Sequence, residues 1–186
     1  MRIMEAKPVS ASRTTLTELM IPSYANFGGK IHGGILLSLM DKVAYACASK
    51  HSGAYCVTVS VDNVDFLQPV EVGELVSMKG SVNYVGNSSM VVGIRVTAEN
   101  VKKAFVKHTN TSYFTMVAKG DDEKPLMVPP LILERKDDLR RFIEAKERRR
   151  IYFKSREQMR EAKRSFNISE EIQKLKGERC EIRIDF

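Results

Sequence analysis

Apolar positions recur at three- and four-residue spacings in only one early stretch of the chain. Leu36, Leu39, Met40, Val43, Ala44 and Cys47 fall on one broad stripe, the pattern of an amphipathic helix. Ser38, Lys42 and Ser49 lie roughly opposite. The spacing predicts a helix from about Gly33 to Lys50, with His51, Ser52 and Gly53 closing it. Elsewhere the period is near two. Residues 12–21 alternate loosely and carry threonines, reading as a first strand that Pro22 ends. A polar loop with Asn26 in its middle follows. Residues 56–66 alternate strictly, but the apolar positions change side near Asn63, which predicts a bulge there. Further strands are predicted over 74–84, 90–98 and 104–117. The turn between the first two of these runs from Val85 through Gly86, Asn87 and Ser88 to Ser89.

Strand, helix, then a meander of four long strands is an α+β arrangement: an antiparallel sheet with one helix segregated to a face. The composition changes after Pro130. Residues 133–164 are rich in charge and helix formers. Leu139, Phe142, Ile143, Tyr152, Met159 and Phe166 form a partial heptad stripe, interrupted by Lys146, Arg149 and Arg150. The chain thus divides into a domain over 1–132 and a charged, mainly helical extension over 133–186. The extension reads as packing on its own domain or a sister subunit, against a solvated, salt-laced helix.

Composition excludes several classes. At 186 residues the chain can bury a real core, and no apolar run reaches the length of a membrane span. The first residues lack the apolar core of a secretory signal. Cys47, Cys56 and Cys180 have no metal or redox spacing, so no metal is expected, and a reducing, cytoplasmic compartment is. The net charge of +7 suits an anionic partner. Its basic residues are mixed with acids, which argues against nucleic acid.

One acid stands out. Asp41 sits at the edge of the helix stripe, beside Leu37 and Ala48, where a neighbouring element would half cover it. Gly33 and Gly34 leave the helix's first turn bare, so its free N–H groups could meet an anion or an oxyanion. A solvated surface acid after a loop glycine pair is the competing reading. His32 could be an acid, a structural support or a substrate contact. Cys47 could be imagined as a nucleophile, but it lies on the core stripe without a base and reads as inert.

Taken in order, these residues resemble the hot-dog acyl-CoA thioesterases, in the branch with the YciA-type bacterial enzymes and the brain acyl-CoA hydrolase. The resemblance covers about residues 16–130. It rests on P-x-x-x-N-x-x-G (Pro22, Asn26, Gly29) and on His32-Gly33-Gly34 with Asp41 seven residues beyond. The strand CVTVSVDNVDFLQPVEVGELV and the run Val85-Gly86-x-Ser88-Ser89 complete it. It implies a hot-dog fold, with a long central helix wrapped by the sheet, and hydrolysis of acyl-CoA to a fatty acid and coenzyme A. Asp41 would be the general base, or less readily a nucleophile. The Gly34 amide would hold the oxyanion, and Asn26 would position water or the carbonyl. His32 and Gly33 would contact substrate. Gly86, Asn87, Ser88 and Ser89 would hold coenzyme A, unless they are only a hairpin turn, and Arg148, Arg149 and Arg150 could meet its phosphates unless they are merely solvated. No separate cofactor is implied, since coenzyme A belongs to substrate and product. The acid and the asparagine of one site would come from different subunits of a homo-oligomer, dimers assembling into a hexamer. The alternatives are a non-catalytic acyl-CoA-binding module, which would be expected to lack Asp41 or Asn26, and a thioesterase acting on acyl carrier protein. A hot-dog hydratase would need an Asp–His pair that the chain does not present.

Overall fold

A computed structural model describes residues 4–184. They form two compact units, residues 4–145 and 146–184. The first opens with a two-residue strand β1 (Lys7–Pro8), one turn of helix α1 (Val9–Ser12) and strand β2 (Thr14–Leu19). A single 3₁₀ turn, Pro22–Tyr24, leads through the Asn26 loop into α2 (Gly33–Ser52). Four strands follow: β3 (Tyr55–Val61), β4 (Leu75–Val85), β5 (Ser89–Asn100) and β6 (Phe105–Lys119). A short β7 (Leu131–Ile132) pairs in parallel with β1.

The antiparallel sheet runs β2-β4-β5-β6-β3, with α2 against its inner face. Leu36, Leu39, Met40, Val43, Ala44, Cys47 and Ala48 of α2 are buried there, against residues such as Met78, Val82, Val92, Val96 and Phe114. These sheet residues stand in register on one side of neighbouring strands, Met78 opposite Val96 and Val82 opposite Val92, which lies opposite Phe114. The predicted α+β hot-dog architecture is the one observed.

Gly80 sets how closely helix and sheet approach. A Cβ at this position would lie 2.7 Å from Val43 Cγ1 and 2.9 Å from Cys47 Sγ. Only a residue without a side chain lets α2 press on β4 so tightly.

The elements differ from the sequence reading in three places. The helix runs two residues past Lys50, because the positions read as a closing turn are buried and bonded. His51 Nε2 meets the Pro129 carbonyl at 2.8 Å, and Ser52 Oγ donates to the Ala48 carbonyl at 2.9 Å. Gly53 alone ends it, in the left-handed region at φ 71°, its N–H donating to the Ser49 carbonyl. The bulge falls between Thr58 and Ser60, not near Asn63. The regular ladder also stops at Val61. Beyond it Asp62 and Leu67 each donate one backbone bond to β6, at the Tyr113 and Thr109 carbonyls. Asp and Asn side chains compete with strand ladders, and the segment holds Asp62, Asn63 and Asp65.

The C-terminal helix α3 spans Lys136–Arg164. Its residues up to Ala145 belong to the first unit. Asp138 is buried there, 3.3 Å from Arg135 and 3.5 Å from Arg13. Phe142 packs on Tyr84 with ring centroids 5.1 Å apart. In the second unit no described residue is buried, and Tyr152, Met159 and Phe166 stand exposed. It ends in a four-residue helix α4 (Ile168–Glu171) and a 3₁₀ turn. Ion pairs one turn apart, Glu147–Arg150 and Glu157–Arg160, line α3 here.

Gly80→Val should lower unfolding stability by about 1–3 kcal/mol, since overpacking a tight core costs that much; urea unfolding followed by circular dichroism measures it. Burial pushes the His51 imidazole below its ordinary value of 6.5, against a smaller upward pull from the Pro129 carbonyl. As pH falls through that value the unfolded chain takes a proton that the folded chain resists, so stability drops. The melting temperature should fall between pH 7.5 and 5.5, and His51→Gln should flatten that dependence.

Candidate active site

Asp41 lies mid-way along α2 on the side that faces β3. The Thr58 hydroxyl, projecting from β3 toward the helix, donates to its carboxylate at 2.5 Å. Thr58 Oγ1 also lies 3.3 Å from Met116 Sδ. Both Asp41 and Thr58 are solvent-exposed in the single chain. They open onto a cleft of about 360 Å³ whose walls include Lys42, Tyr45, Cys56 and Met116. Thr58 thus supplies the neighbour that the sequence reading expected beside Asp41 without naming it. A threonine in a strict alternation reads as an ordinary strand former. The signal available was the even-numbered side of the strand, which carries Thr58.

A second cluster forms where the Asn26 loop meets the start of α2. Asn26 Oδ1 accepts from the N–H groups of Gly28 and Lys30, at 2.9 and 3.2 Å. That occupies the amide's oxygen and leaves its Nδ2 as the group able to donate outward. The loop is fixed from both sides. Lys30 pairs with Glu71 at 2.5 Å, and His32 N–H donates to the Tyr24 carbonyl. His32 caps α2, its Nδ1 accepting from Gly34 N–H at 2.9 Å. An accepting Nδ1 requires the neutral ring with its proton on Nε2. The geometry thus gives His32 a structural role, and it occupies the Gly34 amide expected for an oxyanion. Phe66 covers Gly33, where a Cβ would stand 3.3 Å from the ring.

These clusters sit at different levels of one helix. Seven residues separate Gly34 from Asp41, a rise of about 10 Å on nearly the same face. An oxyanion donor and a base acting on one carbonyl must each come within about 3 Å of the reacting group. Within one chain Gly34 and Asp41 are too far apart for that. Neither Asn26 nor the β4–β5 turn lines the Asp41 cleft. In that turn Gly86 N–H donates to the Ser89 carbonyl at 2.7 Å. The Asn87 and Ser88 carbonyls accept from Val128 and Ala118, so the turn is tied to the chain's exit from the sheet. Cys47 is fully buried and burial pushes its thiol up, outweighing Thr14 and Lys50. It is no nucleophile. Arg150 is paired with Glu147 on the extension.

Residues 28–105 match the family model of the thioesterase superfamily. The chain is 42% identical over 144 residues to Protein VdlD of Helicobacter pylori, covering 76% of this chain and 82% of that protein. An apo-hexameric acyl-CoA thioesterase superposes with a TM-score of 0.79 at 34% identity, over 82% of this chain and 97% of that one. The acyl-CoA hydrolase of Staphylococcus aureus, solved with butyryl coenzyme A and coenzyme A, superposes with a TM-score of 0.71 at 31% identity. That match covers 83% of this chain and 98% of the other. The chain therefore belongs to the thioesterase superfamily, among its hot-dog acyl-CoA thioesterases. Structures of the S. aureus enzyme also exist with an asparagine, an aspartate and a threonine each replaced by alanine. Those three residues are spaced 15 and 17 positions apart, the spacing of Asn26, Asp41 and Thr58 here.

Thr58→Val keeps the side chain's shape and removes its donor. Hydrogen bonds to charged groups are worth about 1.5–3 kcal/mol, so kcat on an acyl-CoA should fall roughly ten- to hundredfold, with KM little changed. A thiol-release assay with a circular-dichroism check of folding tests this.

Proposed function

We propose that this acyl-CoA thioesterase cleaves its substrate at a site shared by two copies of the chain. Asp41, held by Thr58, comes from one copy. Asn26 and the Gly34 amide come from the other. The observation that carries this reading is the rise of about 10 Å between Gly34 and Asp41 along one helix. A second copy can bring its own helix start to the Asp41 cleft, which one chain alone cannot do.

The chemistry then follows from the residues. Asp41 takes a proton from water, and the resulting hydroxide adds to the thioester carbonyl. Negative charge passes to the carbonyl oxygen, which displaces His32 from the Gly34 N–H and is favoured by the positive end of α2. Asn26 Nδ2 donates to the water or to the carbonyl. The carbon–sulfur bond breaks, and the coenzyme A thiolate leaves with the proton that Asp41 had taken. Coenzyme A is thus a product, and no further cofactor enters the cycle.

The β3 edge suits the second copy. Tyr55, Val59 and Val61 are exposed on this edge strand, and unpaired apolar edges are ready to pair with another chain. The hexameric thioesterase neighbour favours three such dimers in a hexamer. The S. aureus enzyme's coenzyme A ligands favour coenzyme A over a carrier-protein thioester. His32, Gly33 and the turn residues Gly86, Asn87, Ser88 and Ser89 are assigned to contacts with the bound thioester and its pantetheine arm. A non-catalytic binding module would not need Asp41, Thr58 and Asn26 together. None of the described helices is long and apolar enough to cross a membrane, and the three free thiols suit a reducing cytoplasm.

Asp41→Ala should lower acyl-CoA hydrolysis at least about a hundredfold, the usual share of a general base, and so should Asn26→Ala. Co-expressing the two inactive chains should restore about a quarter of native activity, because half of randomly paired dimers then carry one intact site of two. No recovery, with mixed oligomers demonstrated by mass spectrometry, would place both residues in one chain's site.

A further inference from the structure

The Asp41 cleft does not end freely. One helical turn beyond Asp41, Tyr45 leans on Tyr55 at the start of β3, with ring centroids 6.1 Å apart and planes tilted by 58°. Both rings line the Asp41 cleft and also a second one of about 820 Å³. The second cleft continues along α2 past Ser49 to Gly53, and its walls combine the apolar Ala54 and Leu126 with the charged Lys119 and Asp121. The pair is therefore the partition between two adjoining clefts. A carbon chain lying between two rings needs its atoms about 3.5–4 Å from each, so centroids would have to stand roughly 7–8 Å apart. At 6.1 Å the passage between the rings is closed.

The near cleft has an apolar floor of Met116, Cys56, Val57 and the two aromatic rings, beside the polar Asp41, Lys42 and Thr58. Asp41 and Thr58 stand on it, so a thioester placed for attack directs one of its arms along this floor. The tyrosine hydroxyls are not needed for such a wall; the rings are.

We infer that Tyr45 and Tyr55 set the acyl chain length this enzyme accepts. This rests on the acyl-CoA reading above and goes beyond it. Short acyl groups are held between the acid and the ring pair. Longer ones require the rings to part and the chain's distal end to enter the cleft beside Ala54 and Leu126. Each methylene that gains cover there strengthens binding about fourfold, so removing the wall favours long chains over short ones. Tyr45 is 41% exposed in the single chain, and its truncation leaves the helix core untouched.

The test measures kcat/KM on butyryl-, octanoyl- and palmitoyl-CoA for the native enzyme, Tyr45→Ala, Tyr55→Ala and Tyr45→Phe. The palmitoyl-to-butyryl ratio should rise at least tenfold in either alanine variant and stay within about threefold of native in Tyr45→Phe. Thermal unfolding of each variant checks that it is folded. Unchanged ratios in both folded alanine variants would overturn the inference. So would an equal loss on all three substrates in alanine variants that keep the native oligomeric mass, which marks a channel for the pantetheine arm that every substrate shares. If the native enzyme releases no thiol from any of the three, the acyl-CoA reading itself fails, a result separate from either of these.

Discussion

The close seat of α2 on the sheet governs everything else in this molecule. It exists because Gly80 brings no side chain to the point where Val43 and Cys47 meet β4. With the helix pressed there, its buried stripe is fixed in rotation, and the next face around is fixed with it. Asp41 belongs to that next face. Its direction toward β3 is thus a consequence of core packing, which is stiff, rather than of its own weak surface contacts. The short bond from Thr58 then chooses the orientation of the carboxylate within that limit.

The same rigidity separates the Asp41 cluster from the Asn26 cluster. A helix rises by a fixed amount per residue, so an acid seven positions from the capping amide cannot approach it by any side-chain motion. Each cluster lies at an exposed boundary. At one, Asp41 faces the edge strand β3, which carries Thr58 and the exposed Tyr55, Val59 and Val61. At the other, Asn26 and the helix start are braced by the Lys30–Glu71 pair and the His32–Tyr24 backbone bond. On the shared-site proposal, dependence on a second copy follows from this geometry, and assembly becomes a condition of activity. Buried His51, bonded to the Pro129 carbonyl, and Lys7, whose ammonium donates to the His51 carbonyl, tie both chain ends of the domain to the far end of the helix. The helix is therefore restrained at its base.

His32 shows how one residue can be legible in kind and not in role. A histidine before a glycine pair offers several chemistries to a reader of the sequence. The structure has its Nδ1 accepting from Gly34, which makes it the cap of α2. Thr58 is the reverse case. Nothing in the alternation of residues 56–66 marks it, because threonine is common in strands for reasons unrelated to catalysis. Its significance comes from a contact across 17 residues of sequence, and such a contact depends on how helix and strand pack. The bulge is likewise illegible in the alternation, which locates where apolar residues change side, whereas the bulge lies where the β3–β6 register shifts, between Thr58 and Ser60.

The sequence by itself determined the elements and their order, the buried stripe of α2, the glycine stop at Gly53 and the presence of an acid beside that stripe. These follow from local periodicity and from backbone freedom, which neighbouring residues encode. Only the tertiary structure decided which strand Asp41 faces, which hydroxyl holds it, and that His32 already occupies the Gly34 amide. It alone paired Tyr45 with Tyr55 between two adjoining clefts. Each of these is a contact between segments distant in the chain, and its geometry is set by how tightly a helix can lie on a sheet.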